Sequence, residues 1–216
     1  MKARDEETGH VMSDQLLRDE SITTFFAGHE TTARVMSFAW YSLATNPHVR
    51  DRLHEELDRV LGDAPPTVEA LRQLPYTLQI VKEVMRLSPP APFYARDAAK
   101  DCQLGGFDVA KGTTIMLSPY YTHRHPDFWD KPDEFNPDRW TKEAESARHS
   151  YAYHPFSAGQ RICIGNNFAL LEGHLLLALL ARRFRVDLKP GYEAVWQMHG
   201  TLRLRDGLPA VISARS

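Results

Sequence analysis

Cysteine is scarce in this chain: two residues in 216, Cys102 and Cys163, lie 61 positions apart. No CxxC occurs, so neither a zinc ribbon nor a dithiol redox pair is readable, and a structural disulfide has little support. No HExxH occurs either, and His29, His123, His125, His149, His154 and His174 lack the spacing of metal ligands. A dominant charge is missing: the formal net charge of -2 leaves no broad basic field for nucleic acid. Long apolar runs are missing too. The most apolar stretch, Phe168 to Phe184, is interrupted by Glu172, His174, Arg182 and Arg183, which reads as a buried helix and not a membrane span. The opening Met1-Lys2-Ala3-Arg4-Asp5-Glu6-Glu7 is too charged for a signal peptide or anchor, so the expected location is the cytoplasm.

What is present is a mainly α pattern with small β regions. The 43% hydrophobic content is ordinary for a globular protein, and the length suffices to bury a core. Ser13 or Asp14 caps a helix that runs to about Thr45 and stops at Asn46-Pro47. At about 30 residues it would exceed ~40 Å, so it is expected to cross the whole core. Pro47 then opens a second helix ending near Gly62, with Arg50, Asp51, Arg52, Glu55, Glu56 and Asp58 read as a solvated face. A third strong helix spans Pro75 to Leu87. Residues 92–118 read as short strands joined by glycine turns, and 119–162 as a proline- and aromatic-rich segment without period. A last helix covers about Asn166 to Arg183, followed by a small hairpin region. No repeat or interdomain linker is visible.

Four constellations carry chemistry. The run Phe156-Ser-Ala-Gly159-Gln-Arg161-Ile-Cys163-Ile-Gly165 brackets a thiol with glycines just before a helix. The glycines permit close approach of a flat group, and the helix N-terminus favours a thiolate at Cys163. Arg161 can pair with a cofactor carboxylate. The plain alternative is a buried structural cysteine. In mid-helix, Ala27-Gly28-His29-Glu30-Thr31 sets two small residues beside an acid and a hydroxyl. Ala27 and Gly28 would let a ring lie against the backbone, Glu30 can relay protons, and Thr31 can donate a hydrogen bond to bound oxygen. Close helix packing at Gly28 and back-bonding at Thr31 stand as the alternatives. Glu83 and Arg86 share a helix face, and Arg139, stiffened by Pro137, can fold back onto Glu83 to pin the aperiodic segment. A surface ion pair is the alternative there. Arg96 can bind a cofactor carboxylate or simply sit on a strand surface.

In order and spacing these signals resemble the cytochrome P450 family. Phe156, Gly159, Cys163 and Gly165 fill its pattern of Phe, two residues, Gly, three residues, Cys, one residue, Gly. The resemblance runs from about residue 12 to the C-terminus, which implies a partial fold: the C-terminal portion of a P450 domain over 1–216, with the N-terminal half absent. It further implies haem b with Cys163 as the proximal iron ligand and Arg161 and Arg96 on its propionates. Glu30 and Thr31 take the acid and alcohol roles of oxygen activation, and Glu83, Arg86 and Arg139 form the structural triad. The implied reaction inserts one atom of O2 into an apolar substrate. Two electrons come from NAD(P)H through a ferredoxin, flavodoxin or P450 reductase partner. An inactive remnant that binds haem weakly and a peroxide-driven peroxygenase are the competing readings.

Overall fold

In a computed structural model, which describes Arg4, Thr8, Gly9 and residues 11–215, helix α1 spans Asp14–Thr45. Ser13 caps it, its Oγ accepting from the Leu16 N–H at 3.1 Å. The capping satisfies a donor that the first helical turn leaves unpaired. Pro47 at the first turn of α2 (Pro47–Leu61) marks the break, and Gly62, at φ 51°, closes α2 in a conformation that disfavours side chains. The short α3 (Val68–Leu71) leads into α4 (Pro75–Leu87). After the small α5 (Pro119–Thr122) and α6 (Lys142–Ala147) comes α7 (Asn166–Arg183).

The strands form four separate antiparallel pairs. Strand β1 (Tyr94–Asp97) pairs with β4 (Thr114–Leu117), and β2 (Cys102–Leu104) with β3 (Phe107–Val109). Near the C-terminus β5 (Phe184–Leu188) pairs with β8 (Ala210–Ala214), and β6 (Trp196–His199) with β7 (Thr201–Leu204). The fold is thus mainly α with small β regions, and the segment between α5 and α7 is held by side chains, as its lack of period requires.

One core joins α1, α2, α4 and α7 through Phe38, Leu43, Leu53, Leu57, Ile80 and Leu177, all nearly inaccessible to water. Two expectations are corrected here. Only the second half of α1 enters this core: buried positions begin at Thr32, while residues 14–29 are exposed. Nor is the charged face of α2 wholly solvated, because Arg50 and Glu56 are buried. The Glu56 carboxylate accepts from the Tyr76 and Thr77 N–H groups, both at 2.8 Å, and so caps α4 from outside. Proline at the start of α4 supplies no side-chain cap of its own. Among the described residues no helix is long and apolar enough to cross a membrane.

Candidate functional site

The cysteine loop is built on backbone turns. Ser157 (φ 65°) and Gly159 (φ 70°) adopt left-handed conformations, and the Cys163 N–H donates to Phe156 O at 2.9 Å, folding the loop back on itself. Helix α7 starts at Asn166, after Gly165. Cys163 is a free, exposed thiol, as is Cys102, so neither is in a disulfide. The buried-cysteine alternative therefore falls. Apolar side chains close to Cys163 in sequence stand uncovered: Ile162, Phe168 and Ile164, which at 103% has no cover at all. Phe156, by contrast, is partly buried against the core.

Arg96 reaches the same loop from β1. It donates to Ser157 Oγ at 2.7 Å and to Ala158 O at 3.4 Å, and lies over the Tyr94 ring. Arg161 is exposed and makes no hydrogen bond or ion pair among the described residues. One cation thus braces the loop while a second stands free near the thiol.

Glu83 and Arg86 are fully buried on α4, which removes the surface-pair alternative. Arg86 Nε and Nη2 donate to the two Glu83 oxygens at 2.8 and 2.9 Å. Its remaining donors go to the carbonyls of His123, Pro132 and Glu134. The aperiodic segment is therefore pinned by Arg86 itself. Arg139 does approach Glu83, with Nε 3.4 Å from Oε1, but that Nε makes no hydrogen bond; Nη2 donates to Lys131 O instead. The donors that complete Glu83 are Trp140 Nε1 and the Asn136 N–H, both at 2.9 Å. Nothing local in the sequence marks them as partners, because they lie 53 and 57 positions away.

His123 ties this network toward the loop. Its Nδ1–H donates to Arg86 O and its Nε2 accepts from the His154 N–H at 2.9 Å, an arrangement that needs the neutral ring. Burial pushes its pKa down to about 3, with the neighbouring His154 acting in the same direction. His154 in turn meets the Tyr94 hydroxyl at 3.3 Å, and its carbonyl accepts from Ser157 N–H.

On α1, Ala27 and Gly28 are exposed, and a Cβ added at Gly28 would meet nothing within 4 Å. Close helix packing is therefore not the reason for Gly28. The Thr31 hydroxyl donates to Ala27 O at 2.8 Å, the back-bond that was the alternative to a distal role. Glu30 is not free: Oε1 accepts from Arg34 Nη2 at 3.1 Å and from Thr201 Oγ1 at 3.0 Å. The Arg34 hydrogen bond, then that of Thr201, holds the carboxyl below its ordinary range. The sequence leads to the expectation of a slot between Thr31 and Cys163; two clefts are lined by other residues. One, of about 420 Å³, is lined by Tyr41, Leu87, Arg124 and Trp196; the other, of about 510 Å³, by Gly62, Arg182 and Arg215.

Comparison with known proteins bears on this arrangement directly. The family model described as cytochrome P450 matches residues 1–207. Mouse "Cytochrome P450 4V2" is 42% identical over 184 residues, 84% of this chain and 35% of that protein. "Putative cytochrome P450 132" of Mycobacterium tuberculosis is 38% identical over 203 residues, 94% of this chain and 44% of that protein. The crystal structure of the cytochrome P450DA heme domain superposes with a TM-score of 0.93 at 37% identity, covering 99% of this chain and 47% of that one. The chain therefore spans less than half the length of these relatives. The sequence reading confines the resemblance to a C-terminal half beginning near residue 12 and to a partial fold. Both points are corrected: the family model matches from residue 1, and the superposition takes in almost every residue. Motif order, fold and family model agree, and this chain belongs to the cytochrome P450 family.

Proposed function

We propose that this chain carries the oxygen-activating machinery of a haem-thiolate monooxygenase, in which one atom of O2 enters an apolar substrate and the other leaves as water. Family membership implies haem b. The residues present fit such a group: an exposed thiol, uncovered Ile162, Ile164 and Phe168 close to it in sequence, and Arg96 and Arg161 for its carboxylates. Bound there, haem would supply redox iron at which dioxygen is activated, with thiolate electron donation favouring O–O cleavage. Cys163 would be its ligand. The Arg96–Ser157 bond fixes the loop from the β1 side, and the His123–His154 link fixes the chain that leads into it.

Proton handling falls to Glu30 and Thr31. Glu30 is held ionised by Arg34 and Thr201, and Thr31 Oγ–H lies one residue on, given to Ala27 O at rest. Two electrons from NAD(P)H through a ferredoxin, flavodoxin or reductase balance the reaction. The observation that carries this reading is the exposed Cys163 thiol on a loop braced by Arg96.

The test loads the chain with haem, reduces it and adds carbon monoxide. A red-shifted thiolate-type Soret band is expected, and Cys163→Ser should lose it. With a reductase system and a fatty acid, product should carry one atom from isotopically labelled O2. Thr31→Ala should retain haem yet release more peroxide per NAD(P)H oxidised. Haem bound without a thiolate-type band would sink the proposal.

A further inference from the structure

The tip of the β6–β7 hairpin reaches across to α1. Gly200, at φ 72°, makes the turn that a side chain would strain, and Thr201 follows it. Thr201 Oγ1 donates to Glu30 Oε1 across 171 positions of sequence. Arg34, one helical turn beyond Glu30, donates to the same oxygen. Among the described residues no donor falls on Oε2. The carboxylate is thus clamped by one oxygen, while its side chain remains 37% accessible to solvent.

We propose that Thr201 is a positioning residue for Glu30: together with Arg34 it fixes Oε1, leaving Oε2 as the oxygen that exchanges protons with solvent. This rests on the reading that Glu30 handles protons. A hydroxyl that donates to a carboxylate stabilises the ionised form over the acid, and fixes the rotamer of an otherwise flexible side chain. The groups acting on Glu30 are Arg34 and His29 from α1 and Thr201 from β7; all three favour its charge, opposed by desolvation. Arg34 has the larger effect but lies on the same helix, so it would hold Glu30 wherever the hairpin sat. Thr201 is the member that makes the ionisation of Glu30 depend on where the β6–β7 turn lies against α1.

The test titrates the Glu side-chain carboxyls of the full chain by carbon-13 NMR, with Glu30→Gln to assign the Glu30 signal. Thr201→Val keeps the volume and removes the donor; Thr201→Ser keeps the donor. The expected result is an upward shift of the Glu30 midpoint in Thr201→Val and a midpoint near the parent in Thr201→Ser. Thr201→Ala should shift in the same direction as Thr201→Val, so a folding defect peculiar to valine leaves the comparison intact. Midpoints that coincide in parent, Val and Ala variants with matching circular dichroism would overturn the proposal. The titration needs no haem. A shift as expected in a chain that fails to oxygenate any substrate would sink the monooxygenase reading and leave this clamp standing.

Discussion

Arg86 has no donor to spare. Its five hydrogen bonds take both Glu83 oxygens and three carbonyls from a segment 37 to 48 positions away. Removing it leaves those carbonyls unpaired and strips Glu83 of its bidentate partner, leaving the hydrogen bonds from Trp140 and Asn136 and the approach of Arg139. Arg86→Ala should therefore cost about 3–5 kcal/mol of unfolding free energy, measured in urea. Arg86→Lys should rescue little, because an ammonium cannot span the bidentate fork. An unchanged midpoint would refute a structural role. The Glu83–Arg86 pairing was legible from its spacing of three on a helix. The approach of Arg139 was legible too, but its unbonded Nε was not, since which donor wins is set by packing around Trp140. His123 shows the same boundary. It is a histidine in a loop until burial and two backbone partners lock it neutral. Its folded pKa, about 3, lies below the ordinary 6.5. The unfolded chain thus binds a proton that the folded chain refuses. Stability from this site is complete above about pH 6.5 and is lost as pH falls toward 3, with about 2 kcal/mol gone by pH 5. His54, His154 and His174 are shifted the same way. His123→Gln should weaken the fold at pH 7 yet flatten, without abolishing, the loss between pH 7 and pH 5. An unaltered slope would exclude His123 as a source.

Helix boundaries were the most legible elements because local chemistry sets them. Ser13, Pro47, Gly62 and Gly165 act within one turn of the chain they cap or break. Burial is different, being decided by neighbours far along the sequence. Glu56 sits in a row of charges that reads as solvated, yet it caps α4 because Leu74-Pro75 offers no capping side chain and α2 passes beside that end. Helix α1 makes the same point at larger size. Its period and caps are continuous, but tertiary contact is not: Phe38 is buried and stacks near Trp196, whereas Phe25 and Phe26 are more than half exposed. Both halves keep their helical hydrogen bonds, so a difference in amide exchange would report packing alone. Amides from 14 to 29 should exchange well before those from 35 to 45. Uniform protection along α1 would show that the first half is covered in solution.

Across the described residues, uncovered apolar side chains occur on many elements, Phe107, Tyr121 and Ile212 among them, and two sets lie close together in sequence. Ile22, Phe25 and Phe26 lie in the first half of α1, and Ile162, Ile164 and Phe168 lie in and just after the thiol loop. Phe38, further along the same helix as the first set, is covered by Trp196 of the β6–β7 hairpin, a contact no local pattern announces. Scattered exposed hydrophobes are normal, but Phe25 and Phe26 touch each other edge to face at 5.8 Å, so they present joined area. Net charge of -2 gives little repulsion to keep copies apart. The chain should therefore self-associate with rising concentration, seen as a growing sedimentation coefficient. Phe25→Ser with Phe26→Ser should reduce that association while leaving thermal stability nearly unchanged, since neither ring belongs to the buried core. If the double variant associates as the parent does, the thiol-loop face or another surface drives contact. If it loses stability as well, the first half of α1 is packed in solution and the exchange experiment should show it protected.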